Sequence, residues 1–166
     1  RFNYHSYLEK WTGNEVGDVI FDADTDELTS RVVLSKLRGA STVCCVVEDI
    51  SGNIFGSYHT VIPTSPDDHI TAQRDPHHFV FTLKNPHNLP PTIFTPTSTN
   101  DDILTLYQPD DINNVINVQR AYGITSSHRV FKYESISNYY NNVPVELGPR
   151  VLVNNAQVFV DRKSVV

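Results

Sequence analysis

Residues 41–62, STVCCVVEDISGNIFGSYHTVI, decide the fold class. Residues 41–49 and 54–62 are rich in Val, Ile, Phe, Tyr and Cys, the types that fit a pleated, half-buried surface, and the intervening Ser51-Gly52-Asn53 is turn chemistry. The stretch predicts an antiparallel hairpin whose turn is made by Gly52 and Asn53. Successive side chains of a strand point to opposite faces, so the neighbouring Cys44 and Cys45 diverge, and a bond between them would be strained. In an apolar run they are expected as buried, reduced thiols, which points to a reducing compartment; the competing reading is a redox switch. Gly56, inside the second strand, is expected to permit a bulge or a close backbone approach.

Upstream of the hairpin, residues 4–11 place Tyr4, Leu8 and Trp11 on one side of a short helix, which Gly13 and Gly17 then break. Residues 18–22, DVIFD, read as a short buried strand. Asp24 stands three residues before Glu27, the spacing of a capping box, and Leu28, Val32, Val33 and Leu37 recur at helical intervals. With Gly39 placed to end it and Lys36 and Arg38 in its last turn, a helix is predicted over residues 25–38.

Downstream, residues 64–68 read as a loop and residues 79–83, FVFTL, as a buried strand. Pro86, Pro90, Pro91 and Pro96 argue for irregular chain over residues 85–100. Strands are expected at 103–107, 115–119, 151–153 and 158–160, and irregular structure over the Tyr-rich residues 126–142. Strands joined by turns rather than crossover helices favour an antiparallel sandwich over a doubly wound sheet. The expected class is therefore α+β and mostly β, a sandwich of two antiparallel sheets with one or two flanking helices, formed as one domain over residues 1–166.

Composition sets further bounds. Hydrophobic residues are 39% and charged residues 19% of the chain, an ordinary globular balance. The net charge of −6, with no Lys/Arg cluster, argues against a general nucleic-acid binder, which needs a basic face to displace phosphate counterions. No apolar run reaches the roughly 18 residues of a membrane span, and residues 1–11 lack the apolar centre of a signal peptide, so no membrane insertion and a cytoplasmic location are expected. The absence of Met suggests a chain whose initiator lies upstream.

Chemistry-bearing residues are present, but not in patterns that specify a reaction. Asp22, Asp24, Asp26 and Glu27 start like a calcium loop, yet Glu27 stands where the turn needs Gly and Val33 where the last ligand should be. They read instead as helix-capping acids. His77 and His78 diverge if they lie in a strand, His59 lies in the second hairpin strand, and no zinc-type spacing occurs. Phe55-Gly56-Ser57 is the nearest approach to a nucleophile elbow, but it lies within a strand, and no phosphate-binding Gly-rich loop is present. No catalytic, cofactor or metal residues are assigned, and no cofactor is expected.

The order of these elements resembles the TLDc family. The carriers are DVIFDADTD at 18–26, the helix, Gly39, the run 42–49, the turn 51–53, Ile54-Phe55-Gly56-Ser57-Tyr58, and PHHFVFTLKN at 76–85. Gly56 and Tyr58 fall on the family's F-G-G-Y strand, while 79–83 match its F-x-F-S-L strand. Residues 116–123 and 151–161 match its later strands more loosely. Ser57 replaces the second Gly, and Asp26-Glu27 replaces an Asp-Gly, so the chain is similar to the divergent members found in protozoa. The resemblance implies a two-sheet sandwich, a link to oxidative-stress resistance, and association with subunits of the vacuolar-type proton pump (V-ATPase), without agreed catalytic residues.

The function expected is accordingly a non-enzymatic protein-interaction domain with a protein partner. A redox or hydrolytic enzyme is the alternative, with Cys44 and Cys45 as its redox candidates. A sugar-binding sandwich with Tyr122, Tyr133, Tyr139 and Tyr140 as platform is a third reading, set against Tyr as an anchor that folds a loop onto the body. Phe79, Phe81 and Leu83 are expected in the core.

Overall fold

The computed structural model describes residues 3–63, 70–98, 101–153 and 157–165. Its centre is the anticipated hairpin, β2 (Val43–Asp49) and β3 (Ile54–His59), paired from Val43↔His59 to Glu48↔Ile54. Gly52 adopts φ 87°, the left-handed region open to glycine at little cost. Asp49 organises the turn: its carboxylate accepts hydrogen bonds from the backbone N–H of Ser51 (3.0 Å) and Asn53 (2.8 Å) and from the Asn53 amide (2.8 Å).

Around this hairpin the chain builds α1 (His5–Thr12), β1 (Phe21–Asp22), α2 (Ser30–Leu37), β4 (Ile70–Gln73), β5 (Phe79–Lys84), β6 (Thr92–Phe94), β7 (Asp102–Leu106), β8 (Asn114–Val118), β9 (Tyr122–Thr125), β10 (Arg129–Lys132), α3 (Ile136–Tyr139), a 3-10 turn (Gly148–Val151) and β11 (Gln157–Val165). The fold is α+β and mostly β, a sandwich of two antiparallel sheets. One sheet runs β11-β2-β3-β5-β6, with β1 on the other side of β11; the second runs β4-β7-β8-β9-β10-β11. Strand β11 serves both sheets. It pairs with β10 through Gln157 to Phe159 and with β2 from Val160 onward, and its register shifts between Val160 and Arg162, where the strand changes sheets.

Alternation along the strands sorts the side chains into two apolar layers. Val43, Cys45 and Val47 of β2, Phe55 of β3 and Val80 of β5 face the second sheet, where Leu104, Ile116, Val118, Tyr122 and Ile124 complete the main core. Cys44, Val46, Ile54, Tyr58, Phe79, Phe81 and Leu83 face outward, where α1 covers them through the fully buried Leu8. The two cysteines thus lie on opposite faces, both buried and free. Phe79, Phe81 and Leu83 are buried as expected, under α1 rather than between the sheets. Trp11 lies 6.2 Å from Phe79 and 5.7 Å from Phe81 between ring centroids.

Several elements differ from expectation. The predicted helix over 25–38 is α2, which starts only at Ser30. Thr29, extended at φ −133° and ψ 157°, caps it by accepting from the Val32 N–H at 3.3 Å. No Asp24/Glu27 capping box forms; instead Asp26 accepts from the Asp22 N–H (2.9 Å) and Asp22 from the Asp24 N–H (3.0 Å), closing a turn that these acids make for themselves. The strand at 18–22 shortens to β1, and Val19 is 53% exposed. Residues 85–100, expected to be irregular, contain β6, which pairs only three residues with β5 at the end of the sheet order, a position where prolines on either side are tolerated. Residues 126–142 contain β10 and α3, and no strand forms at the expected 151–153, where the 3-10 turn ends at Val151 and Leu152 and Val153 follow it. The loop expected at 64–68 lies outside the described residues. Among the described residues no helix is long and apolar enough to cross a membrane.

Candidate functional site

The polar side chains with chemical potential gather between the sheets. In β3 the residues facing inward are Phe55, Ser57 and His59, so alternation alone sends a hydroxyl and an imidazole into the core. The β3–β5 register pairs Tyr58 with Phe79, and one step further brings His78, just before β5, opposite His59. The two imidazoles stack with centroids 4.8 Å apart at 26°. The second sheet contributes Tyr122 from β9, and the residue ending α3 contributes Tyr140. All are sealed: Ser57 and Tyr122 are 0% exposed, His59 1%, His78 2% and Tyr140 3%.

These groups form two hydrogen-bonded chains. Ser57 Oγ lies 2.7 Å from His59 Nε2 and 2.8 Å from the Tyr122 hydroxyl, which also bonds to Cys45. His78 Nδ1 lies 2.9 Å from the Tyr58 carbonyl, and its Nε2 lies 2.8 Å from the Tyr140 hydroxyl. Tyr140 in turn reaches the Gln119 carbonyl at 3.2 Å. His59 Nδ1 is buried with no partner among the described residues. Beside the rings, the fully buried Asp75 accepts from Thr60 N (2.7 Å), Thr60 Oγ1 (2.5 Å), Val61 N (3.1 Å) and His77 N (3.1 Å), pinning the chain that leaves β3 to the turn that enters β5.

Proton placement follows from the partners. An unpaired N–H in an apolar core costs more than an unpaired lone pair, so the hydrogen of His59 belongs on Nε2 and Nδ1 is left as the bare acceptor. His59 therefore donates to Ser57, Ser57 to Tyr122, and Tyr122 to Cys45. In this direction the imidazole is not a base toward the serine. Burial holds His59 well below the usual imidazole range, with a further push from His78. Burial also lowers His78 to about 4, although the bond to the Tyr58 carbonyl and the nearby Asp75 oppose that shift. Burial raises Tyr122 far above the ordinary phenol range and pushes the Cys44 thiol up to about 12, which leaves very little thiolate at neutral pH.

The candidate residues read from the sequence separate accordingly. Gly56 is where it is because β2 and β3 approach closely there: a Cβ would lie 1.8 Å from the Cys45 carbonyl oxygen and 2.8 Å from Phe81 Cζ. Of the two features anticipated for it, the close approach is present, while the register shift between β3 and β5 falls at Ile54/Phe55. Tyr58 is buried and accepts from the Asn14 amide at 3.1 Å. The four tyrosines do not form a platform. Tyr122 and Tyr140 are interior, Tyr133 donates to the Asn117 side chain at 2.5 Å, and Tyr139 lies under the Arg120 guanidinium, 4.7 Å from its ring centroid. Asp22 and Asp26 bond within their own turn, and among the described residues no group of three or more His, Cys, Asp or Glu is placed to hold a metal ion. Asp75 escapes a reading of the sequence, where its one signal is that Asp75-Pro76 is a turn-initiating pair.

At the surface, an open groove of about 640 Å³ runs between the start of α2 and the β7–β8 connection, lined by Glu27, Arg31, Asp110, Asp111 and His128 beside Ile112, which is 81% exposed. A second groove of about 390 Å³ lies between the segment after α1 and the α2–β2 connection. Comparison with known proteins finds no matching family model and no similar curated protein. Fold and site together define a β-sandwich domain with a polar network sealed between its sheets and its grooves open to solvent.

Proposed function

We propose that this chain is a non-enzymatic protein-interaction domain of the TLDc type. The observation that carries the reading is the sealing of Ser57 and His59 at 0% and 1% exposure, with Ser57 bonded to His59 within β3 and across to Tyr122 of the second sheet. A substrate has no route to them, so the residues with catalytic chemistry act as internal ties and recognition falls to the surface. The TLDc assignment rests on element order: helix, hairpin with Phe55-Gly56-Ser57-Tyr58 on its second strand, then Phe79–Lys84 beside it. The tight approach at Gly56 gives a physical reason for a family strand to carry glycine there. Ser57, the departure from the family pattern, replaces backbone freedom with a hydroxyl that bridges His59 and Tyr122.

The partner implied is the vacuolar-type proton pump, with oxidative-stress resistance as the cellular setting. The test is direct binding of the purified folded domain to purified peripheral-stalk subunits of that pump. Saturable binding that acid- or urea-unfolded domain does not reproduce is the expected result; no binding by the folded domain removes the pump from the proposal. The 2.7 Å Ser57–His59 contact is the one observation on the side of the hydrolytic alternative, and it is opposed by the burial of both groups.

A further inference from the structure

We propose that His59 and His78 form an acid-released latch: as neutral stacked rings they hold β3 and β5 against Tyr122 and Tyr140, and proton uptake by the pair parts that seam. The groups facing the rings come from every element packed around them. Strand β3 supplies the Ser57 hydroxyl and the Tyr58 carbonyl, β2 the Cys45 thiol behind Tyr122, β9 the Tyr122 phenol, and the end of α3 the Tyr140 phenol. The turn before β5 supplies Asp75, whose oxygens already accept from Thr60, Val61 and His77 and make no hydrogen bond to either ring.

The network is balanced on its proton count. His78 Nδ1 faces a carbonyl and must carry its hydrogen, so Nε2 accepts from Tyr140. Tyr140 has one hydroxyl hydrogen, and the Gln119 carbonyl competes for it at 3.2 Å. A proton on His78 Nε2 would end that competition, because the imidazolium donates to both Tyr58 and Tyr140 and frees the phenol for Gln119. His78 is thus where the first proton is best received. His59 cannot follow: its Nδ1 has no acceptor among the described residues, and it lies 4.8 Å from a ring that would already be charged. A charged pair in this position is stabilised only by admitting water, which requires β3 and β5 to part from Tyr122 of the second sheet and from Tyr140 after α3.

The sign is fixed by linkage. The unfolded or opened chain takes up each proton near the ordinary 6.5, whereas in the closed state burial holds His78 to about 4 and His59 well down. Stability is therefore full above 6.5 and is lost as the pH falls toward 4. Each ring that stays neutral between pH 7.5 and pH 5 raises the opening constant roughly 30-fold, and the two together roughly 1000-fold.

The experiment is imidazole NMR titration of the wild-type domain combined with amide hydrogen exchange at pH 7.5 and 5, expressed as protection factors. His59 and His78 are expected to stay neutral in the folded state down to pH 5. Protection at Ser57, Tyr122 and Tyr140 is expected to fall at least 30-fold. The double variant His59→Phe/His78→Gln, which cannot titrate there, should lose that pH dependence. If it does not fold, the wild-type titration decides alone. All seven histidines titrating in the ordinary range with protection unchanged would overturn the latch, as would a folded double variant that loses protection with pH as the wild type does.

Discussion

Substituting Gly56→Ala adds a single methyl group at the tightest point of the hairpin. The added carbon would sit 1.8 Å from the Cys45 carbonyl oxygen, 2.9 Å from its carbonyl carbon and 2.8 Å from Phe81 Cζ. Phe81 is 0% exposed and packs against Trp11, so its ring has no free space into which to swing. The Cys45 atoms are backbone in β2 and part of a ladder of six residue pairs with β3, so relief requires the strands themselves to move apart. Overpacking of a well-filled core costs about 1–3 kcal/mol. The unfolded-state gain from Gly→Ala offsets about 0.4–1 kcal/mol of it. Because the clash is with backbone, the upper end of the range applies, and a net loss of about 2 kcal/mol or more is expected. Urea denaturation followed by emission of the single Trp, Trp11, reads it, since that ring packs on the two strand-β5 aromatics. Gly17→Ala is the control, because nothing lies within 4 Å of its added carbon. A Gly56→Ala midpoint indistinguishable from the Gly17→Ala midpoint would refute the close-approach reasoning.

Further outcomes follow from the same packing. Phe81→Ala removes a fully buried ring from beneath α1 and is expected to cost about 3–5 kcal/mol in denaturant unfolding; a shift below ~1 kcal/mol would contradict its placement. Ser57→Ala strands His59 Nε2 and the Tyr122 hydroxyl without their shared partner, a loss of about 1–3 kcal/mol measured the same way. Neither Cys44 nor Cys45 should react with a thiol reagent in the folded domain at neutral pH, and both should react in urea; fast native labelling at either position would revive the redox alternative.

The hairpin is legible in the sequence because its signals agree: β-rich runs, a turn sequence, and alternation that separates Cys44 from Cys45. The start of α2 is not, because a three-residue spacing between two acids is satisfied as easily by a tight turn as by a helix. There Leu28 is buried just ahead of Thr29, and Thr29 takes the extended conformation a cap requires. Strand β10 is hidden because Val130 is its one fully buried residue, leaving no alternation to read. The site is half visible. Ser57 and His59 follow from their place in β3, but Tyr122 meets Ser57 from 65 residues away and Tyr140 meets His78 from 62. Such partnerships are created by the sandwich, and no local pattern encodes them. The hydroxyls of Tyr122 and Tyr140, which make these residues look like surface anchors or a sugar platform, are spent inside.

On the proposed reading, the chemistry-bearing side chains are structural ties and recognition falls to the surface. A fluorophosphonate probe, which reacts with serines activated by a neighbouring base, tests it most directly when applied to the folded domain at neutral pH and read by intact mass and peptide mapping. No adduct at Ser57 is the expected result, because its hydroxyl is 0% exposed and donates toward Tyr122. A stoichiometric adduct on Ser57 would contradict it and establish Ser57–His59 as a working nucleophile and base.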